Sequence, residues 1–114
     1  MASPKDRIEL LQGTLDLLIL RTLLLGPLHG HGIAKAIRRR SDELLLVDHG
    51  SLYPALHRLV RKGRLVARWE ETPKGRPMKL YRLTPTGRRQ LVAEVSRWEQ
   101  LCRAIGLVLR RAEG

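Results

Sequence analysis

The chain is short of cysteine, of long apolar runs and of acidic residues, and each shortage excludes something. Cys102 is the sole cysteine among 114 residues, so neither an intrachain disulfide nor a cysteine-built metal centre can form. A reducing, cytoplasmic setting fits that usage. The most apolar stretch, Leu15–Leu25, is interrupted by Asp16, Arg21 and Thr22. A membrane-spanning helix needs about 20 nearly unbroken apolar residues, so no membrane partner is expected. The opening residues show no leader-like succession of basic, apolar and cleavage-site segments, and no secretory leader is expected. Glycine-rich phosphate loops, serine-centred elbows and paired carboxylates are also missing, so neither an enzyme nor a cofactor is expected. His29, His31, His49 and His57 lack a carboxylate or thiol at ligand spacing, which argues against a metal site.

The shortage of acid leaves a surplus of base. There are 22 Lys and Arg against 11 Asp and Glu, a net charge of +11. Residues 49–89 carry eleven basic and two acidic side chains, a net +9, whereas residues 1–48 and 90–114 each come to +1. A charge concentrated in one third of the chain is matched to a polyanion, because neutralising phosphates releases counterions. The competing reading is a solubilising surface. With 43% hydrophobic residues the chain has enough apolar material for one folded domain, though at this length the core is modest and a second chain could add stability.

Periodicity divides the chain into elements. Residues 1–9 are polar and read as a frayed start. A first helix is expected from Thr14, as N-cap, to Leu25, with Asp16 in its first turn and Gly26-Pro27 as its stop. A second runs from His31 to Arg40 with Ile33, Ala34 and Ile37 inward. Leu44–Val47 reads as an extended segment or loop. The third helix opens at Gly50-Ser51, with Ser51 as N-cap and Pro54 in the first turn, where a missing N–H costs nothing. Leu52, Ala55, Leu56, Leu59 and Val60 give it one apolar face, and Gly63 ends it. Residues 65–70 and 78–83 then alternate as two strands, with Ala67, Trp69, Tyr81 and Leu83 on a shared buried face. Residues 72–77 form the tip between them, whose prolines resist strand pairing. Glu70 and Glu71 would repel phosphate, so they are expected to point away from it or to pair with Arg82 or Arg68. Thr84-Pro85 caps a last helix reaching about Arg111. Its apolar residues Leu91, Val95, Trp98, Cys102, Ile105 and Leu109 step by four and three, a heptad seam suited to a second copy. Gly106 weakens that helix unless close packing needs it.

This order is mostly α: a three-helix bundle, a two-stranded β-wing and a long C-terminal helix, the layout of a winged helix-turn-helix. Residues 1–84 are expected to form its DNA-binding part and 85–114 its dimerisation helix. Several strings resemble the PadR family of bacterial transcriptional regulators: residues 11–20 (LQGTLDLLIL), Gly26–Gly30, Gly50–Leu59 (GSLYPALHRL) and Tyr81–Gly87. Together they span about residues 10–90. His31 and Leu80 depart from the family pattern, which favours an aromatic and a tyrosine there; both are taken as packing positions. The resemblance implies a DNA-binding regulator, usually a repressor, and accounts for His29 as a turn residue.

On this reading the third helix is the recognition helix. Its apolar face leaves Pro54, His57, Arg58 and Arg61 outward, with Ser51 and Tyr53 near the N-terminus and Lys62 at the end. Arginine can bind guanine through two hydrogen bonds, serine or histidine can reach bases or phosphates, and a helix N-terminus favours phosphate. Lys74, Arg76 and Lys79 make the hairpin tip basic, fit for a phosphate ridge or minor groove. Arg38–Arg40 suit the dipole at a helix C-terminus or a phosphate equally well. Trp98 reads as an anchor of the dimer seam, or as the wall of an interfacial pocket for a small aromatic or apolar effector. The expected function is a homodimeric, sequence-specific regulator of double-stranded DNA. The alternatives are a non-specific RNA- or nucleoid-binding protein and a protein-interaction module.

Overall fold

A computed structural model describes residues 12–111; the frayed start expected over residues 1–9 lies outside them. The order is α1 (Gln12–Leu23), β1 (Leu28–His29), α2 (Gly30–Arg40), α3 (His49–Arg61), β2 (Leu65–Glu71), β3 (Pro77–Leu83) and α4 (Pro85–Arg110). This is the winged helix-turn-helix layout, with one strand more than the sequence pattern indicates. Leu28 and His29 pair with Tyr81 and Leu80 of β3, so the antiparallel sheet has the order β1-β3-β2. Two residues are too few to alternate visibly, which is why β1 leaves no periodic signal.

One core joins the three short helices to the inner face of the hairpin. Ile19, Ile33, Leu52, Leu56 and Leu59 are wholly buried, and Leu65 and Tyr81 close the core from the strands. Thr22 is the buried polar exception; its hydroxyl donates to the Leu18 carbonyl one turn back, at 2.7 Å. The segment after α2 turns through Asp42 and Glu43, both in left-handed backbone, and Arg38 pairs with Glu43 across that turn. Leu45 and Val47 then pack on the core without regular structure.

Several helix boundaries differ from the sequence reading. Thr14 lies inside α1 rather than capping it, and Asp16 is beyond the first turn. The N-cap of α3 is Asp48, whose carboxylate accepts from Ser51 N–H at 2.8 Å. Ser51 therefore sits within the first turn, and Pro54 falls in the second. There the missing N–H leaves the Gly50 carbonyl, four residues back, without its helical partner. Gly50 is exposed, so water can fill that role.

The wing meets α4 at a tight joint. Thr84 caps α4 by accepting from Gly87 N–H at 2.9 Å, while its hydroxyl donates to the Gly63 carbonyl at 2.7 Å. A Cβ on Gly87 would lie 2.1 Å from the Arg64 carbonyl oxygen and 2.7 Å from Leu83 Cδ1. No side chain fits there, so glycine is what allows α4 to start against the α3–β2 turn. From that joint α4 runs beyond the rest of the chain, giving extents of 62 × 36 × 21 Å and a radius of gyration of 16.3 Å. A compact chain of this length would have a radius near ~13 Å. Among the described residues Gly106, on the far part of α4, meets the flexible end of Arg110 and no packed helix.

Candidate nucleic-acid interface

The third helix divides its residues sharply. Leu52, Ala55, Leu56 and Leu59 are each 0% exposed, which fixes its rotation against α1 and α2. Ser51, Pro54, His57, Arg61 and Lys62 are all exposed, and Pro54, His57 and Arg61 lie opposite the stripe. Tyr53 is both exposed and structural. Its ring stands where a Cβ on Gly30 would be, 3.0 Å away, so it closes the α2–α3 junction. It also meets His49 edge-on at 5.6 Å, and His49 meets His31 at 6.0 Å. His31 is therefore an exposed member of a ring cluster at the start of α2 and α3, not the packing residue expected.

Arg58 is a correction. It lies three residues on from Ala55 and so flanks the buried stripe instead of opposing it. Its guanidinium is half-buried and donates through Nη2 to Asp16 of α1 at 3.1 Å, while its Nε is buried without a partner. A guanidinium held inside the protein in this way is not presented to a base edge. Burial pushes the Asp16 carboxyl above its ordinary range, and the nearby cations, Arg58 first, only partly offset this. Desolvation thus outweighs attraction at Asp16, and the pair is better suited to fixing α3 on α1 than to adding net stability.

The hairpin carries the second basic element. Its tip is ordered by Thr72, whose N–H and hydroxyl both donate to the Arg76 carbonyl, and by a bond of 2.8 Å from Gly75 N–H to the Thr72 carbonyl. Lys74 and Arg76 are exposed there. Pro77 does pair, with Glu71, as the first residue of β3, a position that tolerates proline. Ala67 and Tyr81 face one another on the inner side as expected, and burial, with the neighbouring Tyr53, pushes the Tyr81 hydroxyl up from its ordinary value. Trp69 is a second correction: it shares that side but is 65% exposed, beyond the edge of the helices. Lys79 lies opposite it, with its ammonium 5.4 Å from the indole centroid. Glu70 approaches His29 Nε2 at 3.6 Å, not Arg82 or Arg68. That is too long for a hydrogen bond.

The seam on α4 is also split. Leu91 is buried in the chain's own core and Val95 packs against it, so Leu91 is not available to a second copy. Trp98, Leu101, Ile105 and Leu109 are exposed, as is Cys102. A groove of about 600 Å³ runs between the end of α1 and α4, lined by Arg21, Leu24, Val92, Val95 and Glu99 among others; Trp98 does not line it. Among the described residues no helix is long and apolar enough to cross a membrane.

Residues 19–93 match the family described as the transcriptional regulator PadR-like family. The chain is 35% identical over 77 residues to the transcriptional regulator Rv3488 of Mycobacterium tuberculosis, covering 68% of each protein. Among solved structures it resembles a transcriptional regulator from Clostridium thermocellum, with TM-score 0.77 and 32% identity over 83% of this chain and 92% of that one. It resembles equally a PadR family transcriptional regulator from Eggerthella lenta, with TM-score 0.77 and 30% identity over 87% and 84% of the two chains. The layout, the exposed face of α3 and these likenesses agree: the chain belongs to the PadR-like family of transcriptional regulators, whose members are not enzymes.

Proposed function

We propose that this chain is a sequence-specific DNA-binding regulator that works in the cytoplasm as a homodimeric repressor. Residues 1–84 read the DNA and residues 85–114 hold two copies together. The observation that carries this reading is the division of α3: a wholly buried stripe fixes the helix, and its exposed face, with Pro54, His57 and Arg61 at the centre, stands beside a basic hairpin. A recognition helix needs that combination of fixed rotation and free outer face. Ser51, Tyr53 and Lys62 flank the face, and Lys74, Arg76 and Lys79 supply phosphate contacts from the wing. Arg58 acts in this scheme by holding α3 to α1. The uncovered part of the seam, Val95, Trp98, Cys102, Ile105 and Leu109, joins the copies, so that two α3 helices enter successive major grooves of a near-palindromic operator, about 34 Å apart. A small aromatic or apolar effector binding beside Trp98 would change that spacing and release the DNA.

Selection of bound sequences from random duplexes tests the reading. The expected result is one enriched near-palindrome, bound ~10³-fold or more tighter than random DNA. Replacing Arg61 or His57 by Ala should relax base preference, whereas Lys74→Ala should weaken all sequences alike and lower the salt slope by about one. Binding without an enriched motif would turn the reading into non-specific nucleic-acid binding. No binding at physiological salt, by a monomeric chain, would turn it into a protein-interaction module. Planar aromatic compounds should change indole emission saturably in the native protein and not in Trp98→Ala.

A further inference from the structure

We infer that Trp69 and Lys79 form one composite contact for the sugar-phosphate backbone of double-stranded DNA, at a place on the wing that the basic tip alone does not reach. The inference rests on the DNA-binding reading above and adds a residue to it. Trp69 would ordinarily be part of the core. It lies in β2 on the same side as Leu65 and Ala67, which are covered by the helices, and it faces Lys79 as Ala67 faces Tyr81. Two residues further along a strand, roughly 7 Å, the helices have ended and the indole stands 65% exposed. Among the described residues nothing buries it. The Lys79 ammonium is held against its face, 5.4 Å from the centroid, a range in which the ring attracts a cation and limits where it can point.

The surroundings indicate what the pair meets. Tyr81, two residue pairs nearer the body on the same side, lies close to Tyr53 at the start of α3. The indole therefore projects on the side of the hairpin where α3 begins, between that helix and the exposed cations Lys74 and Arg76 at the tip. A flat apolar surface with a fixed ammonium at its face matches a deoxyribose edge with its phosphate: the sugar C–H groups pack on the ring, and the phosphate takes the cation. Such a contact reads no base, so it adds affinity and fixes where the wing sits along the strand. A protein surface would lack that repeating anion, and in a region of residues 49–89 with net +9 a second copy of the wing would be repelled.

Titration of the native protein with a duplex recovered by selection, and with a random duplex of equal length, tests this through indole emission and acrylamide quenching. Trp69→Phe, in which Trp98 is the remaining indole, reports how much of the signal is not Trp69. The expected result is a saturable change and protection from quenching with both duplexes, largely absent in Trp69→Phe. Trp69→Leu should weaken both duplexes by about the same factor, near tenfold for each of the two copies, the size of one well-packed aromatic contact, with an unchanged melting temperature. A mobility shift with no protection of Trp69, or equal affinity of Trp69→Leu, overturns the inference and leaves DNA binding standing. An emission change with protein concentration alone that Trp98→Phe retains and Trp69→Phe loses assigns Trp69 to a second copy and also overturns it. Absence of any mobility shift removes the underlying reading and the inference with it.

Discussion

Helices α3 and α4 carry the same kind of apolar stripe and meet opposite fates. In α3 Leu52, Ala55, Leu56 and Leu59 are wholly buried and Val60 half-buried. In α4 the stripe is buried at Leu91, half-buried at Val95, and exposed from Trp98 (49%) onward. The small body can cover about the first three turns of α4 and no more, because α1, its neighbour, ends at Leu23. The lesson is that a stripe reports a need for cover and not its source. For α3 the source is this chain; for the far part of α4 it is a second one, on the function proposed above.

The largest effects should separate the two stripes directly. Leu56→Ala removes a wholly buried side chain and should cost about 2–5 kcal/mol in denaturant unfolding. Ile105→Asp, on the exposed part of α4, should leave the helical circular dichroism intact and convert the dimer to a monomer in sedimentation. A folded, still dimeric Ile105→Asp protein would break the comparison.

The joint between the regions comes next. Gly87→Ala puts a methyl group against the Arg64 carbonyl oxygen, and should destabilise by about 1–3 kcal/mol or more, since the obstacle is backbone. Urea melts of that variant against Gly106→Ala, where only the flexible Arg110 end obstructs, sharpen the point. The second substitution should be tolerated and should strengthen the helix, by up to about 1 kcal/mol.

Smaller effects belong to the link between α1 and α3. Arg58→Ala leaves the Asp16 carboxylate unpaired and should cost about 1–2 kcal/mol. Its pH dependence has a definite sign. The folded protein holds the Asp16 proton more tightly than the unfolded chain does, because burial raises its pKa. The corresponding stability is fully present below the unfolded value and is lost as pH rises through the folded one. Stability of the native protein relative to Asp16→Asn should therefore increase as pH falls from neutrality toward the acid range, measured by melts of both across that interval.

Much of the fold is legible in local pattern. The stripe of α3, the alternation of the hairpin and Thr84-Pro85 before α4 are each set by residues within a few positions of one another. Asp48 as N-cap was equally readable, since aspartate suits that position as well as serine does. What is not legible depends on distance. Asp16 and Arg58 stand 42 positions apart, and nothing near Arg58 marks it as inward. Alternation gives the side of the sheet on which Trp69 lies, but not how far the helices extend along the hairpin. Heptad spacing runs through Leu91 and Leu109 alike, and cannot tell a chain's own core from a partner's. Gly87 carried a faint signal, a glycine inside a helix, which commonly marks close packing.

The most direct test of the whole account is the mass of the complex formed on a selected duplex, measured by light scattering at physiological salt. Two chains on one duplex with two related half-sites is the result expected from a buried recognition stripe and an uncovered pairing stripe. One chain per duplex, bound as tightly and as selectively, would contradict it.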